Sequence, residues 1–195
     1  MRRKMRRKMR RKMTATTPSL SLPSIVQGNK LKILLDYAMT VKDLPGDIAE
    51  VGVHRGGVSL ALSVQHPYKT VHMFDTFSGM PIQGEGDQHK IGEFQDCNFP
   101  AIKRAFEGRL YQFHIGVFPD TCSELRNDQT FCFVHVDGDQ YQTTRDAIDY
   151  FWPRLTPGGI LIFDDYEWPM CPGVTKAILE TFSPLVITRP TSSQA

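Results

Sequence analysis

Cysteine is scarce: the 195 residues include 4, at Cys97, Cys122, Cys132 and Cys171. No two have C-x-x-C spacing, which removes the usual signals for a structural zinc or a thioredoxin-like redox pair. The thiols read as reduced, which points to a cytoplasmic protein, and Cys132 reads as a packing residue inside an apolar strand. No apolar run approaches the roughly 20 residues that span a bilayer. The basic start is not followed by the apolar segment of a secretory signal. The G-x-G-x-x-G loop of dinucleotide binders is missing, which counts against a nicotinamide oxidoreductase. What is present is ordinary for a globular chain: 41% hydrophobic and 23% charged residues, enough for one domain with a full core.

The net charge of +2 conceals an acidic body. Residues 1–13 repeat MRRK and hold nine of the 23 Lys and Arg, leaving 14 basic against 21 acidic residues, a net −7. A basic tail attracts nucleic acid or anionic membranes, but the acidic body opposes nucleic acid as the main partner. Residues 1–24, ending in TATTPSLSLPS, are expected to be a disordered tail and linker. Residues 25–45 then form an N-terminal helical segment, and 46–195 the domain that carries the chemistry. Neither nucleic acid nor membrane is expected as a partner, and a homodimer is left open.

From residue 29 onward, strand and helix signals alternate. Leu31, Leu34, Leu35, Ala38 and Met39 recur at helical spacing over 29–42. Strands are expected at 47–53, 70–75, 110–116, 131–137, 158–165 and 185–189, with helices at 56–65, 99–107, 141–155 and 174–182. In the fourth helix Ala147, Ile148, Phe151 and Trp152 are expected to face the core. This order implies an α/β fold, a mostly parallel sheet with helices on both faces. The stretch from Thr76 to Gly92 is longer than most α/β connections and reads as a lid or binding loop.

Four carboxylates close two of the strands. Asp137 and Asp139 lie in FVHVDGDQY, and Asp164 and Asp165 in GGILIFDDY. A strand–helix–strand unit can make the two strands neighbours, about 4.8 Å apart. Four negative charges gathered there repel unless a positive group joins them. A hard divalent cation, with its preference for oxygen, is the simplest such group. The alternative is local capping: Asp164 and Asp165 before Tyr166, and Asp139 at the start of the helix near Tyr141. His135, within a strand, reads as packed rather than ligating. His54 and His89 fall in loops near the mouth, where His89 is a second candidate base. Tyr166 and Trp168 are candidates for stacking on a sugar ring or for packing.

The first strand runs into EVGVHRGG. Glycines there permit a tight turn and close approach to the backbone. Asp75 ends the second strand 23 residues after Gly52, the spacing at which an acid holds ribose hydroxyls.

Together the segments AEVGVHRGG, FDTFSGMP, GVFPDTC, VHVDGDQYQTTRDA and GGILIFDDYEWP resemble the macrocin O-methyltransferase (TylF-like) family of class I S-adenosylmethionine-dependent methyltransferases. Thr76, Ser78 and Met80 depart from the usual loop of that family. The resemblance implies a Rossmann-like fold of which the last strand is expected to be missing. It implies S-adenosylmethionine bound by Glu50, Gly52, Val53, Gly56, Gly57 and Asp75, with Phe77 flanking the adenine and Gly116 and Phe118 bordering the mouth. It implies Mg²⁺ or another divalent cation on Asp137, Asp164 and Asp165, and Asp139 as general base. The expected reaction is methyl transfer to a hydroxyl of a small polyhydroxylated, sugar-containing molecule. A catechol-type O-methyltransferase and an inactive S-adenosylmethionine-binding module are the alternatives.

Overall fold

The computed structural model describes residues 21–195 apart from Glu85, Leu185 and Val186. The MRRK repeat and most of the expected linker lie outside the described residues.

Helix α1 (Gly28–Thr40) precedes strand β1 (Asp47–Val51), and α2 (Gly57–Gln65) leads to β2 (Val71–Asp75). Helix α3 (Phe99–Ala105) precedes β3 (Tyr111–Ile115), followed by β4 (Phe131–Val136), α4 (Tyr141–Phe151), β5 (Leu155–Phe163) and α5 (Pro172–Thr181). The strands form one parallel sheet in the order β3-β2-β1-β4-β5. Winding runs one way from β1 to β3 and the other way through β4 and β5. The reversal leaves a crevice outside the carboxyl ends of β1 and β4.

Side chains alternate across the sheet with the period of two that a strand imposes. Ile48, Val71, Met73, Phe133 and Ile162 pack with Leu34 and Ala38 of α1, Leu62 of α2 and Ile102 of α3. Ala49, Val51, Phe74, Val134 and Phe163 pack on the other face with Ala147, Ile148 and Phe151 of α4 and Ile178 of α5. Each fully buried Leu, Ile or Phe contributes roughly 1.5–3 kcal/mol, so the sheet rim is held between two apolar layers.

Three expectations are corrected. Residues 187–189 form no strand, and Leu185 and Val186 lie outside the described residues. The end of β5 is paired instead by the last residues, with Ala195 N donating to Phe163 O at 3.1 Å and Phe163 N to Ala195 O at 2.7 Å. Trp152 is 56% exposed, because α4 gives way to a 3-10 turn (Trp152–Arg154) that rotates it off the buried stripe. The end of the expected linker is part of the fold: Leu22 packs on the core, just ahead of buried Val26 in the segment that follows. Pro23 and Ser24 lie against Gly57, where an added Cβ would come within 2.6 Å of both. Among the described residues no helix is long and apolar enough to cross a membrane.

Candidate active site

The ladder of the sheet continues past the strands and sets the rim. Asp137 N donates to Val51 O and Asp164 N to Val136 O, both at 2.8 Å. Gly52 makes this closure possible. It has a φ of +84°, and a Cβ added there would sit 1.9 Å from Asp137 O. The close approach that this glycine permits is therefore to the chain itself.

A cavity of about 560 Å³ fills the crevice. The strand ends bring Glu50, Gly52, Val53, Asp75, Asp137, Asp139, Asp164 and Asp165 to its wall, and the loop after β3 adds Gly116 and Phe118. Gly56, Gly57 and Phe77 are not among the lining residues. Gly56 faces Ile102 and Leu22, and Gly57 faces Pro23 and Ser24. The Phe77 ring packs on Phe99 and Phe113, with centroids 4.5 and 5.6 Å away.

Asp75 fixes the glycine loop. Its Oδ2 accepts from Val53 N at 2.7 Å and His54 N at 2.8 Å, and its Oδ1 from Phe77 N at 2.6 Å. A carboxylate has about four lone-pair sites, so one remains for a ligand hydroxyl.

The four aspartates come together. Oxygens of Asp137, Asp139 and Asp165 lie within 4.8 Å of one another, and a second group joins Asp137 and Asp164 to His135 at the same limit. Asp139 and Asp165 reach inward from left-handed backbone, with φ of 59° and 60°. Such conformations cost energy and persist where the surroundings enforce them. Burial, then the charges of Asp164, Asp139 and Asp165, raises the Asp137 carboxyl well above the usual range. Burial, then a hydrogen bond and charge from Asp165, does the same for Asp139. Burial also raises Asp164, against the opposing pull of His135 and Lys30.

Lys30 is a site residue that sequence reasoning missed. Its Nζ lies 2.7 Å from Asp164 Oδ2 and 3.4 Å from Asp165 Oδ1. Burial alone would lower its pKa, but Asp164, then Asp165 and Asp137, outweigh that and raise it. Lys30 stands four residues before Leu34 and eight before Ala38, in line with the buried stripe of α1. A lysine heading an apolar stripe was the available signal.

The loop after β2 roofs the cavity through Thr76, Met80, Ile82, His89 and Phe94. It is tied down by Gln140 Nε2 donating to Ile82 O at 2.6 Å and by Asp96, which pairs with Arg55 and with His54 at 2.6 Å. Arg55, then His54, holds the Asp96 carboxyl down at about 2. His89 meets Glu93 at 2.7 Å and lies within 4.8 Å of Asp139 and Cys171. Trp168 lines the cavity, whereas Tyr166 is buried in the core beneath Arg189. All four cysteines are free thiols.

Residues 1–183 match the family model described as Macrocin-O-methyltransferase (TylF). The chain belongs to the macrocin O-methyltransferase family. Within this family it is 32% identical over 148 residues to mycinamicin III 3''-O-methyltransferase of Micromonospora griseorubida, covering 66% of this chain and 58% of that protein. It is 32% identical over 147 residues to 8-demethyl-8-(2,3-dimethoxy-alpha-L-rhamnosyl)-tetracenomycin-C 4'-O-methyltransferase of Streptomyces olivaceus, covering 66% and 56%. The chain thus spans less than three-fifths of the length of these curated relatives. Among solved structures it resembles the O-methyltransferase NovP with a TM-score of 0.71 and 26% identity, covering 85% of this chain and 77% of that one. The parallel sheet with helices on both faces is the Rossmann-like methyltransferase fold.

Proposed function

We propose that this macrocin O-methyltransferase family member is an S-adenosylmethionine-dependent, divalent-metal-dependent O-methyltransferase acting on a hydroxyl of a small, sugar-containing molecule. One observation carries the reading: the four aspartates share a single cavity with Glu50, Gly52 and Asp75. Both groups fit. The cavity has the size of a small-molecule pocket, and Asp75 retains a free lone-pair site at the end of the glycine loop. Asp164 Oδ1 is buried without a hydrogen-bond partner, as expected of a ligand oxygen awaiting a cation.

Glu50, Gly52, Val53 and Asp75 would hold S-adenosylmethionine, which supplies a sulfonium methyl group. Asp137, Asp164 and Asp165 would hold the cation, which supplies Lewis acidity toward an acceptor hydroxyl. The protein's own residues do the remainder. Asp139 accepts the hydroxyl proton, and in the metal-free chain burial, then Asp165, raises its carboxyl above the usual range. Cys171 Sγ donates to Asp139 Oδ1 at 3.6 Å, and burial, then the charge of Asp139, pushes that thiol up so that it stays a donor. The roof loop excludes water, and Trp168 offers an aromatic face to a sugar ring. The name of one relative, which specifies a rhamnosyl-bearing tetracenomycin, supports a glycosylated acceptor.

Calorimetric titration of S-adenosylmethionine and S-adenosylhomocysteine, with and without Mg²⁺, tests the reading. Binding of both is expected. Binding of neither, or of NADH instead, would overturn it.

A further inference from the structure

His135 is fully buried on β4, in register with Glu50 of β1 and Ile162 of β5. It lies two residues before Asp137 and so projects from the same face of the strand. Its Nδ1 is 2.9 Å from Glu50 Oε1, and the other oxygen of Glu50 accepts from Ser59 Oγ. A carboxylate accepts, so Nδ1 carries a proton toward Glu50, and the neutral ring in that tautomer offers its lone pair at Nε2.

Nε2 is buried and has no hydrogen-bond partner. Neither does Asp164 Oδ1. The His135 ring nitrogen and oxygens of Asp137 and Asp164 lie within 4.8 Å of one another. This cluster thus holds polar atoms that no protein group satisfies, and Lys30 does not reach them, because its ammonium bonds Asp164 Oδ2 and Asp165. Unpartnered acceptors in an interior are costly. A cation that accepts electron pairs from nitrogen and oxygen together removes the cost. The Glu50–His135 pair also has the form of the carboxylate–histidine arrangement that orients metal-binding imidazoles.

We propose that His135 is a ligand to the cation, and that its nitrogen selects a first-row transition divalent ion over Mg²⁺. The proposal rests on the metal-dependent reading above and extends it. Mg²⁺ takes oxygen ligands, whereas imidazole suits first-row transition ions. Glu50, implied at the donor pocket, thereby also orients a metal ligand and links the two halves of the cavity.

The test is pulsed electron paramagnetic resonance of Mn²⁺ bound to the full chain. A directly coordinated ¹⁴N coupling is expected. It should vanish in His135→Gln and persist in His54→Gln and His89→Gln, which alter the two histidines that line the cavity. In His135→Gln the preference for Mn²⁺ over Mg²⁺ should fall at least about tenfold. If His135→Gln does not fold, the coupling in the wild type, His54→Gln and His89→Gln decides the matter. Bound Mn²⁺ without ¹⁴N coupling, or with a coupling lost in His89→Gln or His54→Gln, would overturn the ligand assignment and leave the metal reading standing. Failure to bind Mn²⁺ at all would overturn both.

Discussion

Lys30 Nζ lies 2.7 Å from Asp164 Oδ2, an ion pair that joins the first helix to the end of the last strand. The acidic rim thus carries a cation of its own before any ion binds. Asp164 is buried and the Lys30 side chain is 24% exposed, so the pair is screened less than a surface bridge.

Replacing that cation should separate its two effects. In Lys30→Met the metal-free protein should lose about 2 kcal/mol, since breaking a largely buried pair strands its charge. Divalent-ion affinity should rise at least about tenfold as a neighbouring positive charge is removed. Thermal denaturation in EDTA and Mn²⁺ calorimetry check both. Unchanged or weaker Mn²⁺ binding would show that Lys30 supports the ion rather than competing with it.

Asp139→Asn keeps the size of the side chain and removes its basicity. Methyl transfer should fall by about 10²–10⁴ in kcat, with S-adenosylhomocysteine binding within about twofold of the wild type. A single-turnover assay alongside calorimetry separates the terms. Near-normal turnover would move the base elsewhere, with His89 next in reach.

Gly52→Ala places a methyl group where Asp137 O already stands and forces a side chain into left-handed backbone, at a cost of at least about 1–3 kcal/mol. The variant should be destabilised by that much or more and should lose divalent-ion binding, because Asp137 is displaced. Wild-type stability by urea denaturation would contradict the close approach of β1 to Asp137.

Histidine titration gives a pH signature remote from the rim. His72 and His114 meet at 3.1 Å between β2 and β3, and His114 reaches Glu124 at 3.0 Å. Burial lowers the pKa of His114 below 6.5, against the pull of Glu124, and burial, then Lys69, lowers that of His66. Between the folded value and 6.5 the unfolded chain binds more protons. Acidification through that window therefore costs stability. The raised aspartates act with the opposite sign: their contribution is present below 3.8 and fades as pH rises through their folded values. Ring-proton NMR resolves the histidines singly, and a His114 midpoint at or above 6.5 would contradict the prediction.

Most of the sheet was legible because parallel strands buried on both faces read as continuous apolar runs. The five observed strands and the meeting of Asp137 with Asp164 follow from that pattern and the helix between them. What escaped depended on distant packing. Lys30 pairs with an acid 134 residues away, which no local window contains. His135 read as packed and is fully buried, but a buried strand position does not reveal whether the second ring nitrogen is satisfied. Phe77, expected beside a ligand, turns toward Phe99 and Phe113 because its left-handed backbone, at φ 52°, redirects the ring. At residues 187–189 the propensity for a strand gave way to pairing of β5 with Ala195.

The most direct measurement is calorimetric titration of Mn²⁺ into the full chain saturated with S-adenosylhomocysteine, in parallel with Asp164→Asn. One equivalent should bind to the wild type, with affinity lower by at least about tenfold in the variant. Absence of binding, or identical binding by the two proteins, would contradict a carboxylate rim built to hold a cation beside the methyl donor.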